Sequence, residues 1–148
     1  MAIIRPGTEN DLSATLNLIK ELAVFERAPN AVIVTEDQLR RDGFGENPLF
    51  GLLVAEEEGI VVGISLYYNR YSTWKGKCLY LEDLIVTEAH RGKGIGLELF
   101  LATKKVAQET NCFKMVWQVL DWNTPAIDFY KQQGADIDPE WFNCEIVV

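Results

Sequence analysis

The amino-acid sequence predicts one α+β domain of three layers, in which helices flank a mixed, mostly antiparallel sheet. In the first half of the chain, apolar β-branched runs are separated by short polar turns, which indicates antiparallel hairpins. In the second half, strand and helix patterns alternate, which indicates crossover connections. A chain of 148 residues suits one hydrophobic core, so we expect residues 1–148 to form a single domain.

Two helices are predicted near the N-terminus. Thr8 is followed by acidic residues, which is typical of a helix start, and apolar residues then recur at helical spacing to about Arg27. Pro29 ends this helix because its ring cannot continue the hydrogen-bonding pattern. Thr35 has capping-box spacing to a later Gln, which predicts a shorter helix that stops near Gly43.

Six strands are predicted from apolar and β-branched runs. Short polar links at residues 56–59 and 74–77 join three of them into two hairpins. The strands are expected at Ala2–Arg5, Phe50–Ala55, Ile60–Tyr68, Cys78–Val86, Phe113–Leu120 and Trp141–Val148.

Two more helices are predicted among the later strands. Gly94–Thr110 follows a glycine-rich turn, and Thr124–Gln133 has Pro125 in its first turn and Gly134 at its end, the places each residue favours. The resulting order is β-α-α-β-β-β-α-β-α-β. A pure Rossmann fold is not expected, since its glycine-rich loop would lie near the start of the chain.

Composition and charge exclude several classes of protein. The chain has 14 basic against 22 acidic residues, so nucleic acid is not an expected partner. An acidic surface attracts cationic substrates, although it also serves solubility. A single His leaves too few ligands for zinc, and no metal is expected.

No membrane association is expected, because no run reaches the ~20 apolar residues of a membrane span and the N-terminus does not resemble a signal peptide. The three cysteines, Cys78, Cys112 and Cys144, are widely spaced and odd in number. We expect buried free thiols and a cytoplasmic location.

The predicted strand ending at Val86 leads into the pattern Arg-x-x-Gly-x-Gly and then into a helix. Glycines let the backbone approach phosphates closely, and the helix N-terminus presents unpaired N–H groups to an anion. A P-loop is a poorer match, because it requires Lys-Ser or Lys-Thr after its last glycine. The sequence therefore predicts a pyrophosphate-binding loop. The backbone of Gly92, Gly94, Ile95 and Gly96 would bind the phosphates, and Arg91 and Lys93 would add charge-assisted bonds to the same phosphates.

This loop resembles the acetyl-CoA loop of the GNAT superfamily of N-acetyltransferases. Four further segments resemble its diamine, polyamine and thialysine acetyltransferase branch: Leu18–Ala23, Asp42–Glu46, Leu79–Asp83 and Trp122–Tyr130. The resemblance implies a GNAT-like fold, acetyl-CoA as co-substrate, direct acetyl transfer in a ternary complex, and a homodimer.

The resemblance also implies two catalytic residues. Glu82 is an acid within an apolar strand; it would bind the acceptor amine and accept its proton through water, unless it only faces solvent. Burial beside the sheet is expected to raise the pKa of Glu82 toward neutrality, which would make it a better base. Strand alternation places Asp83 on the opposite face, which makes it the less favoured base. Tyr130 would donate a hydrogen bond or a proton to the departing thiolate. Cys112 has no His partner, so a thiol nucleophile is not expected.

Further contacts to acetyl-CoA follow from the same resemblance. The backbone of Leu84, Ile85 and Val86 would bind the acetyl and pantetheine portion as an added strand does. A strand-end N–H would polarise the thioester carbonyl. The residues expected further along the cofactor are Asn123, Thr124, Pro125 and Ala126.

Acceptor selection is less fixed by the sequence. Phe25 and Glu26 stand where the polyamine enzymes have a Tyr-Glu pair, so the acid remains but the hydroxyl is absent. Trp74, Glu140 and Trp141 offer cation–π and charge contacts to an ammonium, or are ordinary rim or core residues. The turn between the strands expected at Phe50–Ala55 and Ile60–Tyr68 and the C-terminus both look shorter than in the polyamine enzymes. This leaves both a short diamine and a lysine analogue open as acceptor.

The expected function is acetyl-CoA-dependent N-acetyl transfer to a primary amine of a small cationic substrate. Two alternatives stay open: an acyl-CoA-binding regulatory module with weak catalysis, and a protein N-terminal acetyltransferase. The first would need the loop but neither catalytic side chain, and the second would need an open peptide groove.

Overall fold

A computed structural model describes all 148 residues. The five strands are β1 (Ile3–Pro6), β2 (Gly51–Glu57), β3 (Ile60–Ser72), β4 (Gly76–Val86) and β5 (Met115–Val116). The four helices are α1 (Leu12–Phe25), α2 (Glu36–Phe44), α3 (Ile95–Glu109) and α4 (Thr124–Gln132). This arrangement confirms the predicted α+β fold and its element order up to the last strand.

The five strands form one sheet in the order β1-β2-β3-β4-β5. Neighbouring strands from β1 to β4 are antiparallel, and β5 is parallel to β4, so the sheet is mixed as predicted. Alternating residues of β2 face opposite sides: Leu52 and Val54 belong to the core that includes α1 and α2, whereas Leu53 and Ala55 belong to the core that includes α3. The three layers are therefore α1 and α2, the sheet, and α3.

Polar side chains fix several element ends. Thr35 caps α2 by accepting a hydrogen bond from the Gln38 amide (3.1 Å), and Asn123 caps α4 in the same way from Ala126 (3.3 Å). Before α1, Asp11 is 6% exposed and accepts two hydrogen bonds from the Arg5 guanidinium, at 2.8 and 2.9 Å. This pair connects β1 to the start of α1.

The two predicted C-terminal strands differ from the structure. The strand expected at 113–120 is limited to Met115–Val116, and residues 141–148 form no strand. The chain divides into two compact units, Met1–Trp117 and Gln118–Val148. A strand needs a neighbour for its backbone hydrogen bonds, and the second unit contains none, so the apolar pattern there does not produce a strand.

The free cysteines also differ in part from the prediction. Cys78 on β4 is buried, Cys112 is half-buried and Cys144 is exposed. Cys144 was expected to be buried in the last strand, and it is exposed because that strand does not form. No helix is long and apolar enough for a bilayer crossing.

Candidate active site

The predicted pyrophosphate loop lies between β4 and α3. A short 3-10 turn at Glu88–His90 follows the strand, and Gly92 (φ 77°) and Gly94 (φ 81°) then adopt the left-handed conformation that side chains disfavour. Gly94 is the N-cap of α3 and has no side chain to cap it. The N–H groups of the first turn are therefore available to an anion, and nothing lies within 4 Å of a Cβ added at either glycine. The loop thus has the backbone features that were predicted for a pyrophosphate-binding loop.

Glu21 of α1 fixes the start of this loop. Its carboxylate accepts hydrogen bonds from the Thr87 hydroxyl (3.0 Å) and the Glu88 amide (3.0 Å). It also lies 3.6 Å from the Arg91 guanidinium. No local sequence pattern indicates this role, because Glu21 is 66 residues away from Thr87 along the chain.

The two basic residues of the loop contact protein groups. Arg91 donates to the Val86 carbonyl (2.8 Å), and its guanidinium lies 5.7 Å from the centre of the Phe25 ring. Phe25, predicted to contact the acceptor, therefore packs against the loop. Lys93 lies 3.7 Å from Glu57 and is half exposed. Both cations add positive charge to the loop, and Arg91 also holds its backbone.

A β-bulge changes the direction of the side chains in β4. Leu66 of β3 pairs with Asp83, but Tyr67 pairs with Leu81, so Glu82 is an extra residue without a partner on β3. Glu82 and Asp83 consequently line the same cavity. The prediction that Asp83 faces the opposite side is wrong, since strand alternation does not continue through a bulge. The predicted burial of Glu82 is also wrong, because its side chain is exposed.

The cavity has a volume of about 330 Å³ and combines an apolar wall with carboxylates. The acidic residues on it are Asp42, Glu82 and Asp83, and its apolar residues are Ile19, Val34, Leu39, Leu49, Phe50 and Leu66. An alkylammonium has the same two parts, a methylene chain and a cationic end. The cavity is therefore complementary to such a ligand.

Three carboxylates interact electrostatically at this site. Burial raises the pKa of Asp83 to about 6, and the negative charges of Glu82 and Glu26 add to the effect. Burial also raises the pKa of Glu26, again with a contribution from Glu82. Glu26, predicted from the sequence, thus joins Glu82 in one acidic cluster, and Asp83, the less favoured base in the sequence prediction, is also a member.

Tyr68 of β3 orients the exposed carboxylate. Its hydroxyl donates a hydrogen bond to Glu82 at 3.1 Å. Burial, followed by the Glu82 charge, raises the pKa of Tyr68 to about 12, so the phenol stays protonated and remains a donor. Tyr68 is not among the residues predicted from the sequence, because its cross-strand position opposite Tyr80 follows from the register of β3 and β4.

The remaining predicted residues lie in two places. Trp74 is 90% exposed on the link between β3 and β4. In the second unit, Asn123 caps α4 and Tyr130 lies on the same helix, with its ring 5.3 Å from that of Phe129. Glu140 and Trp141 lie in the irregular segment that follows α4.

Only part of β4 has a strand on its second edge. β5 pairs with Leu79 and Tyr80 alone, so the edge of residues 81–86 that faces away from β3 has no strand partner. Leu84, Ile85 and Val86 lie on this open edge, next to the loop. An extended ligand can form backbone hydrogen bonds there.

Comparison with known proteins agrees with this geometry. The acetyltransferase (GNAT) family matches residues 16–135. A thialysine N-epsilon-acetyltransferase of Bos taurus is 41% identical over 152 residues, which cover 96% of this chain and 89% of that protein. A spermidine/spermine N(1)-acetyltransferase-like protein 1 of Homo sapiens is 42% identical over 139 residues, covering 89% of this chain and 20% of that protein.

A solved structure of an integron cassette protein from the mobile metagenome of V. cholerae is similar in fold. Its TM-score is 0.80 at 25% identity, and the match covers 99% of this chain and 93% of that chain. The chain belongs to the GNAT family of acetyltransferases and is an N-acetyltransferase. The family uses acetyl-CoA as its acetyl donor.

Proposed function

We propose that this enzyme transfers an acetyl group from acetyl-CoA to a primary amine of a small cationic acceptor, a polyamine, a diamine or a lysine analogue such as thialysine. The observation that carries the proposal is the cavity where Glu82 and Asp83 meet an apolar wall, on the strand that leads into the glycine loop. The names of the two relatives, which specify thialysine and spermidine/spermine, support the same acceptor classes.

The main chemical difficulty is the proton on the acceptor. An alkylammonium has a pKa of ~10.4, so at neutral pH about one molecule in a thousand is a free amine. Glu82 is exposed at the cavity and held by Tyr68, which suits it to bind the ammonium and to pass its proton to water. Asp83 is the better-suited group to accept this proton, since its pKa of about 6 lies closer to neutrality than that of an ordinary carboxyl.

The acetyl donor is assigned to the glycine loop and the open edge of β4. The first-turn N–H groups of α3 would hold the pyrophosphate of acetyl-CoA, and the backbone of Leu84, Ile85 and Val86 would hold the pantetheine arm. Acetyl-CoA supplies a thioester that a free amine attacks directly. Tyr130 remains the proposed donor to the departing thiolate, and Asn123, Thr124, Pro125 and Ala126 the proposed contacts further along the cofactor.

The test is thiol release from acetyl-CoA across a panel of polyamines, diamines and lysine analogues. The wild type should turn over at least one of them, and Glu82→Gln and Asp83→Asn should each lower kcat/KM by about 10²–10⁴-fold. Glu109→Gln, an exposed carboxylate at the end of α3, is the matched control and should leave kcat/KM unchanged. Tight acetyl-CoA binding without turnover of any amine would contradict the proposal and favour a regulatory module.

Three broader properties remain part of the proposal: a single domain over residues 1–148, a homodimer and a cytoplasmic location. The homodimer is supported by exposed apolar side chains near the C-terminus, namely Trp141, Phe142, Ile146 and Val147. The location is supported by three free thiols. Light scattering on the purified protein tests the dimer, and a monomer at micromolar concentration would contradict it.

A further inference from the structure

Arg70, near the end of β3, is an exposed cation beside the acidic site. Its guanidinium lies 5.7 Å from the centre of the Tyr80 ring. Like Arg41 it forms no ion pair, whereas Arg5, Arg40 and Arg91 each lie within ion-pair distance of a carboxylate. A positive charge without an anionic partner next to a site for cations needs an explanation, because it repels the ligands that the carboxylates attract.

Two stacked tyrosines connect Arg70 to the acidic site. Tyr68 and Tyr80 are cross-strand partners, and their ring centres are 5.3 Å apart. The Tyr68 hydroxyl donates to Glu82, and the Arg70 guanidinium lies over Tyr80. The tyrosine pair thus has a carboxylate on one side and a guanidinium on the other.

The sheet register places these groups on one face. Arg70, Tyr68 and Leu66 alternate along β3 and so point to the same side, which is the side of the cavity. Leu66 pairs with Asp83, so Arg70 lies roughly 13 Å from Asp83 along the strands. The guanidinium leans back over Tyr80, which shortens that gap.

Both charges act on both phenols. Burial raises the pKa of Tyr68 and of Tyr80, the Glu82 carboxylate raises both further, and Arg70 lowers both. Glu82 and Arg70 therefore lie within electrostatic range of the same two rings. Together they form a surface with a negative and a positive end, separated by an aromatic floor.

We propose that Arg70 binds an anionic group of the acceptor, so that the enzyme selects a zwitterionic amino acid with a side-chain amine over a polyamine. The ammonium would lie at Glu82 and Asp83, the methylene chain over Tyr68, and the carboxylate at Arg70. A guanidinium suits this role because its planar N–H groups match a carboxylate. The far end of a diamine is cationic, and Arg70 would repel it. The inference rests on the proposed function and narrows its acceptor.

The test compares acceptors that differ only in the carboxylate: L-lysine against cadaverine, and L-ornithine against putrescine. The measured quantity is the ratio of kcat/KM within each pair for the wild type, Arg70→Gln and Arg70→Lys. Lys104→Gln is the matched control, since it removes an exposed cation on α3 and changes the net charge equally. The wild type should prefer the amino acid, Arg70→Gln should lower the ratio about tenfold, and Arg70→Lys should restore part of it.

The outcomes separate the inference from the proposed function. A KM for acetyl-CoA and a Tm that stay unchanged in Arg70→Gln would show that the altered ratio reflects acceptor binding. Acetylation with the same ratio in wild type and Arg70→Gln would overturn the inference alone, as would a wild-type preference for the decarboxylated amines. Failure to acetylate any amine would overturn the proposed function as well.

Discussion

Replacing Asp83 by Asn should stabilise the protein and remove the acid limb of its catalytic pH dependence. The carboxyl has a pKa raised from its usual 3.8 to about 6, first by burial and then by Glu82 and Glu26. This rise corresponds to roughly 3 kcal/mol between the two protonation states. An isosteric amide carries no charge, so Asp83→Asn avoids the cost of burying a carboxylate.

The sign of the effect follows from proton linkage. Between pH 3.8 and about 6 the folded protein keeps a proton on Asp83 that the unfolded chain has lost. The free energy of unfolding therefore falls as pH rises through this window, and it levels off above about 6. Asp83→Asn should match the wild type at the acidic end and exceed it by about 1–3 kcal/mol at neutral pH.

Urea unfolding at a series of pH values measures this difference, and kcat/KM measured over the same range reports the catalytic effect. The wild type should lose kcat/KM as pH falls through about 6, when Asp83 takes up a proton. Glu82→Gln removes a neighbouring negative charge and should move this acid limb to lower pH. The limb should stay above 3.8, because burial is the largest cause of the shift.

Two results would refute this reasoning. One is a stability difference between Asp83→Asn and the wild type that does not change with pH, which would mean that the carboxyl titrates alike in the folded and unfolded states. The other is an acid limb near pH 6 that persists in Asp83→Asn, which would assign the titration to another group.

The remaining predictions concern the loop and the fold. Glu21 holds the start of the loop, so Glu21→Ala should raise the KM for acetyl-CoA about tenfold with little change in kcat in steady-state kinetics. Glu21→Gln should have a smaller effect on this KM. A fall in kcat at constant KM would contradict this role. Asp11→Ala removes a buried carboxylate and both hydrogen bonds that it accepts from Arg5, which keeps its ion pair with Glu56, and should lower the free energy of unfolding by about 2–3 kcal/mol in urea. Asp37→Ala, which breaks an exposed pair, should cost less than about 1 kcal/mol, and equal losses in the two variants would argue against burial as the cause.

Much of the fold followed from local sequence patterns. The β2–β3 and β3–β4 hairpins, the Thr35 cap and the glycine loop before α3 each depend on a few neighbouring residues, and the structure has them where the patterns predict. The strand expected at residues 141–148 depended on a partner strand elsewhere, which a local pattern does not provide.

The candidate site was predictable only in part for the same reason. Gly92 and Gly94 were identifiable because their motif and the conformations they adopt are local. The bulge at Glu82 was not, since it arises from how β4 pairs with β3 and leaves no signature in β4 itself. It turns Asp83 toward the cavity. Glu21 contacts the loop only through the packing of α1 beside it, and no spacing in the sequence indicates that contact.

The central claim is that the backbone from Gly92 to Gly96 binds the diphosphate of acetyl-CoA. Titration calorimetry with CoA tests it on the wild type, Gly94→Ala and Gly59→Ala. Gly94 and Gly59 share a positive φ, 81° and 79°, and open space at the Cβ position, so both substitutions should cost about 1 kcal/mol of stability. Gly59 lies in the β2–β3 turn. We expect the wild type and Gly59→Ala to bind CoA with equal affinity, and Gly94→Ala to bind it at least tenfold more weakly. Equal affinity in all three proteins, or no binding by the wild type, would contradict the claim.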